Sequence, residues 1–93
     1  MFHPDMMKST LVPFGYQARF EFGKYTLSVV QNDISYGSKE GLYEISVFEE
    51  DNQIELPGIT EQGDSVRGWL TKDDVNSIMK KLTSITGTNA KLL

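Results

Sequence analysis

Cysteine is absent from this 93-residue chain, and histidine occurs once, as His3. Without thiols there is no disulfide, no thiolate nucleophile and no Cys-ligated zinc or iron–sulfur centre. A lone histidine between Phe2 and Pro4 makes neither a zinc site nor the base of a Ser-His-Asp triad. No run approaches the ~20 apolar residues of a membrane span, and MFHPDMMKST lacks the apolar core of a signal peptide. A soluble, intracellular protein is the expectation. Clustered positive charge is missing too. Seven lysines and two arginines are scattered against thirteen carboxylates, for a net charge of −4. A nucleic-acid backbone binder needs the opposite balance.

Phosphate and calcium loops are also absent. Gly37, Gly41, Gly58, Gly63 and Gly68 match neither a P-loop nor a dinucleotide fingerprint, and read as turn residues. Gly68 differs because it falls inside a strand pattern, where glycine marks a bulge or a close backbone approach. Asp33, Ser35, Ser38 and Glu40 lack EF-hand spacing. Glu44 is the best-placed carboxylate for acid–base work, but 93 residues leave little room for a pocket that would perturb it. No enzyme, no cofactor and no metal is the reading.

What is present is a compact α+β pattern. SVRGWLTKDDVNSIMKKLTSITG (65–87) reads as a short strand running into one amphipathic helix. Thr71 caps it, Asp74 completes an acidic capping box, and Gly87 ends it. Val75, Ile78, Met79, Leu82 and Ile85 keep helical spacing. Upstream, the period is two. Tyr16, Ala18, Phe20 and Phe22 share one face of a first strand, and Gly23-Lys24 forms a glycine-first hairpin turn. Leu27 and Val29, then Tyr43, Ile45 and Val47, give the core face of two more strands, 25–30 and 42–49, and that face is where the helix should lie. Short strands at 53–56 and 66–70 complete a mostly antiparallel five-stranded meander with one C-terminal helix packed on one face. Residues 1–13 read as an irregular, mobile arm, 14–87 as a single domain, and 88–93 as a frayed tail. A domain this small buries roughly 60–65% of its unfolded surface, which makes a homodimer or higher homo-oligomer attractive.

Contact residues stand out more than reacting ones. QNDISYGSKEG (31–41) is the longest polar stretch, and long loops in small domains often carry function. Tyr36 sits alone in it, either as a contact residue or as a lid on the core edge. Lys39 and Glu40 flank it, and Lys39 with Arg67 could receive an anionic group. Glu49, Glu50 and Asp51 form a solvated acidic turn that could steer a basic partner. Trp69, just before the helix cap, is expected in the core, stapling helix to sheet.

Taken together, FGKYTLSVV (22–30), YGSKEGLYEISVF (36–48), LPGIT (56–60) and GWLTKDDVNSIM (68–79) resemble the small early-type accessory proteins of tailed bacteriophages. The resemblance covers roughly residues 20–86 and brings no catalytic residues. It implies a phage-encoded protein in the host cytoplasm that binds and blocks a host enzyme or defence component by occlusion. Two alternatives stay open. One is a homo-oligomeric sponge for a small nucleotide, with Tyr36 on the base and Lys39 or Arg67 on phosphate. The other is a minor virion or assembly factor.

Overall fold

The computed structural model describes residues 1–11 and 13–93. Strands β1 (Lys8–Leu11), β2 (Phe14–Phe22), β3 (Tyr25–Asn32), β4 (Tyr43–Glu49), β5 (Asn52–Ile54) and β6 (Val66–Leu70) precede helix α1 (Lys72–Thr86) and strand β7 (Lys91–Leu92). Short 3-10 turns cover Pro4–Met6 and Ser38–Glu40. The chain is a small α+β domain: an antiparallel sheet with one C-terminal helix of 15 residues on one face.

Its centre is the β2–β3–β4 ribbon. Alternation buries Ala18, Phe20 and Phe22 from β2, Leu27 and Val29 from β3, and Tyr43, Ile45 and Val47 from β4. Gly23, at φ 59°, closes the β2–β3 turn and sets Phe22 opposite Tyr25. A one-residue slip would turn every one of these side chains to the other face, so the apolar pattern holds the register. Against this face α1 lays Val75, Ile78, Met79 and Leu82. The helix starts where its capping box dictates. The Thr71 hydroxyl accepts the Asp74 N–H at 3.1 Å, and the Asp74 carboxylate accepts the Thr71 N–H at 2.9 Å. Gly87, left-handed at φ 68°, ends it.

The edges depart from a simple meander. β5 and β6 do not stack outward one after the other. Both line β4, β5 along Val47–Glu49 and β6 along Tyr43–Ser46. The other edge is divided in the same way, since β1 pairs with Phe14–Gln17 and β7 with Phe20–Glu21. Each outer edge of the ribbon is thus covered by two short strands, which limits the length of unpaired backbone. β5 is also shorter than the 53–56 expected, because the Leu56 carbonyl accepts the Ile59 and Thr60 N–H groups and belongs to the following turn. That turn buries Ile59 completely.

The expected irregular arm at 1–13 is corrected by the structure, Val12 lying outside the described residues. His3 caps the Pro4–Met6 turn, and β1 pairs with β2. Phe2 is only 2% exposed. Its ring meets Tyr43 edge-on at 5.0 Å and Phe20 at 6.4 Å between centroids. Burial also pushes the Tyr43 phenol above its usual range. Asn76, buried in α1, clasps the Phe2 backbone: its carbonyl oxygen accepts the N–H at 2.7 Å and its amide donates to the C=O at 3.2 Å. The tail is not frayed either. β7 joins the sheet, and the Leu93 N–H donates to the Arg19 carbonyl at 2.9 Å. Ile85 falls outside the buried stripe of α1, which ends at Leu82, and is 54% exposed.

Candidate functional site

The loop between β3 and β4 is held by hydrogen bonds among its own residues, side chain to backbone and backbone to backbone. Asn32 begins it: its side-chain carbonyl accepts the Ile34 N–H at 3.1 Å, its N–H donates to the Ser35 hydroxyl at 2.9 Å, and that hydroxyl donates back to the Asn32 carbonyl at 3.1 Å. Gly37 and Gly41 adopt left-handed φ on either side of the Ser38–Glu40 turn. The Leu42 N–H closes the loop on the Gly37 carbonyl at 2.9 Å. Order of this kind lowers the entropy lost on binding.

Beside this loop runs a β-bulge. Tyr43 pairs with Leu70 but Ile45 pairs with Arg67, so Gly68 and Trp69 together occupy the place opposite Glu44. The bulge explains why Trp69 is not the staple expected. Leu70 takes the core position at 3% exposure, while Trp69 is turned out at 58% with φ 59°. Left-handed backbone at a bulky residue is a strained state that a fold keeps only where its surroundings enforce it.

Two aromatic–glycine pairs supply that enforcement. A Cβ added to Gly68 would lie 2.5 Å from the Tyr36 Cβ, so Tyr36 packs directly over Gly68. A Cβ on Gly37 would lie 3.1 Å from the Trp69 Cα and 3.3 Å from its Cε3, so the indole packs over Gly37. Tyr36-Gly37 and Gly68-Trp69 therefore interlock, each aromatic covering the glycine of the other pair. The backbone adds a Trp69 N–H to Tyr36 carbonyl bond at 3.4 Å, and the Glu44 carboxylate accepts the Tyr36 N–H at 3.3 Å. The anomaly of a glycine inside a strand pattern at Gly68 thus has both its causes, a bulge and a close approach.

Tyr36 and Trp69 do not stand alone. Leu11 is 85% exposed, Phe14 59%, Ile34 78%, Tyr36 59% and Trp69 58%. Leu11 pairs with Phe14, the Phe14 carbonyl accepts the Asp33 N–H, and Tyr36 contacts Gly68. The five therefore follow one another along a single end of the sheet. Their summed exposed area is on the order of 600 Å², the upper end of the roughly 300–600 Å² of the largest apolar patch on a typical monomer. Of these, only Tyr36 is marked by sequence reasoning. Ile34 in a polar loop is the one further local signal.

The remaining candidate residues are distributed elsewhere. Lys39 and Glu40 line a hollow of about 220 Å³ with Asp33, Ile34, Tyr36 and Trp69. Arg67 does not line this hollow. Its Nε lies 3.7 Å from Glu61, and its charge also reaches Asp74. The Thr71 backbone N–H first, then the Thr71 hydroxyl and Arg67, hold the Asp74 carboxyl below the usual carboxylate range. Glu49, Glu50 and Asp51 sit at the far end of β4, about 20 Å from the aromatic end at the rise of an extended strand. There Glu49 is paired with Lys24 at 3.1 Å, a contact that raises the Lys24 pKa. The acidic turn and the Tyr36 loop are thus two places, not one surface.

Among the described residues no group of three or more His, Cys, Asp or Glu is arranged to hold a metal, and no helix is long and apolar enough to cross a membrane. Comparison with protein-family models, with curated proteins and with solved structures produced no match. The functional reading rests on the geometry of the site itself.

Proposed function

We propose that this chain is a non-catalytic binding protein that docks another protein through the rim of Leu11, Phe14, Ile34, Tyr36 and Trp69 and acts by occupying its surface. The observation that carries the reading is Trp69: the fold holds a bulky indole in strained backbone and turns it to solvent. Tryptophan and tyrosine are the residues most enriched at interface hot spots. The rim approaches the ~800 Å² that one partner contributes to a standard interface. Asp33 and Glu40 lie in it against the single cation Lys39, so its fitting partner is an apolar surface bordered by basic side chains. The resemblance to phage accessory proteins supplies the setting, a host protein in the bacterial cytoplasm.

The test starts with the tagged protein and its Trp69→Ala and Tyr36→Ala variants in bacterial lysate. Capture is read by mass spectrometry and by nucleotide analysis of the heat-released supernatant. Any enriched protein is then purified and titrated directly against all three. Direct binding that weakens at least ~30-fold in either variant, the size of a hot spot, supports docking at the rim. Equal binding by wild type and variants refutes it. Release of a nucleotide without a protein shifts the reading to the sponge, with Tyr36 stacking and Lys39 on phosphate. Copurification with particles alone shifts it to a virion role.

A further inference from the structure

Resting on that docking reading, the geometry points to a more specific feature: the hollow beside Trp69 is a receptor for one arginine side chain of the partner. Its lining combines two exposed aromatics, Tyr36 and Trp69, with two carboxylates, Asp33 and Glu40. Most other carboxylates around the site are engaged. Glu44 accepts the Tyr36 N–H, Asp74 is committed to the helix cap, and Glu61 pairs with Arg67. Among the described residues, neither Asp33 nor Glu40 has a cation within ion-pair distance or accepts a hydrogen bond through its side chain.

The chemistry of that lining selects its occupant. An anion would meet two carboxylates against the single charge of Lys39, which removes phosphate as the natural guest. A purely apolar side chain would leave both carboxylates desolvated without a partner. A guanidinium suits both the aromatic faces and the two carboxylates. It is planar, stacks on an aromatic face, is weakly hydrated, and presents several donors to carboxylate oxygens. Lysine, a compact and strongly hydrated charge, uses the aromatic faces less well. Lys39 is the opposing element, and its charge weakens any cation bound beside it.

Trp69 is the only tryptophan in the chain, so its indole N–H is a single reporter in a nitrogen–proton correlation spectrum. The probes are three blocked tripeptides, alanine–X–alanine, with X arginine, lysine or citrulline, the last a neutral isostere of arginine. The arginine probe should shift the Trp69 indole signal and the amides of residues 33–40, with an affinity in the millimolar range that falls with added salt. Lysine should bind about threefold more weakly, the size of one exposed cation–π contact, and citrulline should leave the signals in place. Asp33→Asn and Glu40→Gln should each weaken the arginine probe, and Lys39→Gln should strengthen it. Equal shifts from arginine and lysine, shifts indifferent to both carboxylate variants, or no shift at ~20 mM probe would each overturn the assignment. The two readings fail separately. If a captured protein loses binding in Trp69→Ala while arginine has no effect, the docking rim stands and the receptor does not. Arginine binding with no captured protein leaves the reverse.

Discussion

Replacing Trp69 separately by alanine and by glycine tests the backbone on which the proposed surface depends. With 58% of the residue exposed, its indole removes roughly 100 Å² from water, worth about 2.5 kcal/mol at 25 cal/mol/Å². Both substitutions lose that term equally. They differ only in the main chain. At an ordinary position alanine is the more stable by ~0.5–1 kcal/mol, because glycine loses more chain entropy on folding. At φ 59° the alanine Cβ carries a steric cost of roughly 1–2 kcal/mol that glycine does not. The order should therefore invert. Trp69→Gly should cost about 1–2 kcal/mol and Trp69→Ala about 2–3 kcal/mol. Urea denaturation followed by far-UV circular dichroism measures both, since the only tryptophan is gone. Alanine more stable than glycine by the ordinary ~0.5–1 kcal/mol would show that residue 69 is not left-handed in solution. A loss of 4 kcal/mol or more in both, the range of a buried Trp→Ala change, would make Trp69 a core residue after all and remove the observation behind the proposed function.

Further expectations follow from the same geometry. Phe2→Ala should destabilise by ~3–5 kcal/mol, because a fully buried ring with two aromatic neighbours leaves a cavity; less than ~1 kcal/mol in a denaturant titration would mean the N-terminal segment is not docked. Gly68→Ala should force Tyr36 off its seat, costing ~1–3 kcal/mol and moving the Trp69 indole resonance; an unmoved resonance would contradict the interlock. Thr71→Ala should cost ~1 kcal/mol by removing the helix cap. The acid sensitivity of that cap has a definite sign. Asp74 has a folded-state pKa below its unfolded one, so its contribution is complete above the ordinary carboxylate range and fades as pH falls through the depressed value. Carboxyl titration by NMR should place Asp74 below the ordinary aspartate range, and Thr71→Ala, which removes the hydroxyl but keeps the backbone N–H, should raise it part of the way back.

The helix was legible because everything that defines it is near in sequence. Its capping box spans Thr71 to Asp74, its apolar stripe repeats within four residues, and Gly87 follows directly. The β2 and β3 faces were legible for the same reason, as was the glycine-first turn between them. Tyr36 could be singled out as an aromatic stranded in a polar loop, and Gly68 as a glycine out of place in a strand. Those signals are local and survive without knowledge of the fold.

Tertiary structure decided the rest, because the deciding partners are far apart along the chain. Phe2 is buried through a clasp to Asn76, 74 residues away, and nothing within the N-terminal segment announces it. β1 and β7 are strands only because β2 offers them an unpaired edge. A place just before the helix cap suggests an interior Trp69, and one extra residue in the β6 ladder turned it to solvent. Lys39 and Arg67 together suggest joint receivers of an anionic group, and the fold sets Arg67 beside Glu61. The acidic turn at 49–51 and the Tyr36 loop flank the same strand in sequence, and its extended length holds them apart. Capping and alternation are written in neighbouring residues, whereas edge pairing, bulge position and the burial of a lone aromatic are set by contacts that exist only once the chain has folded.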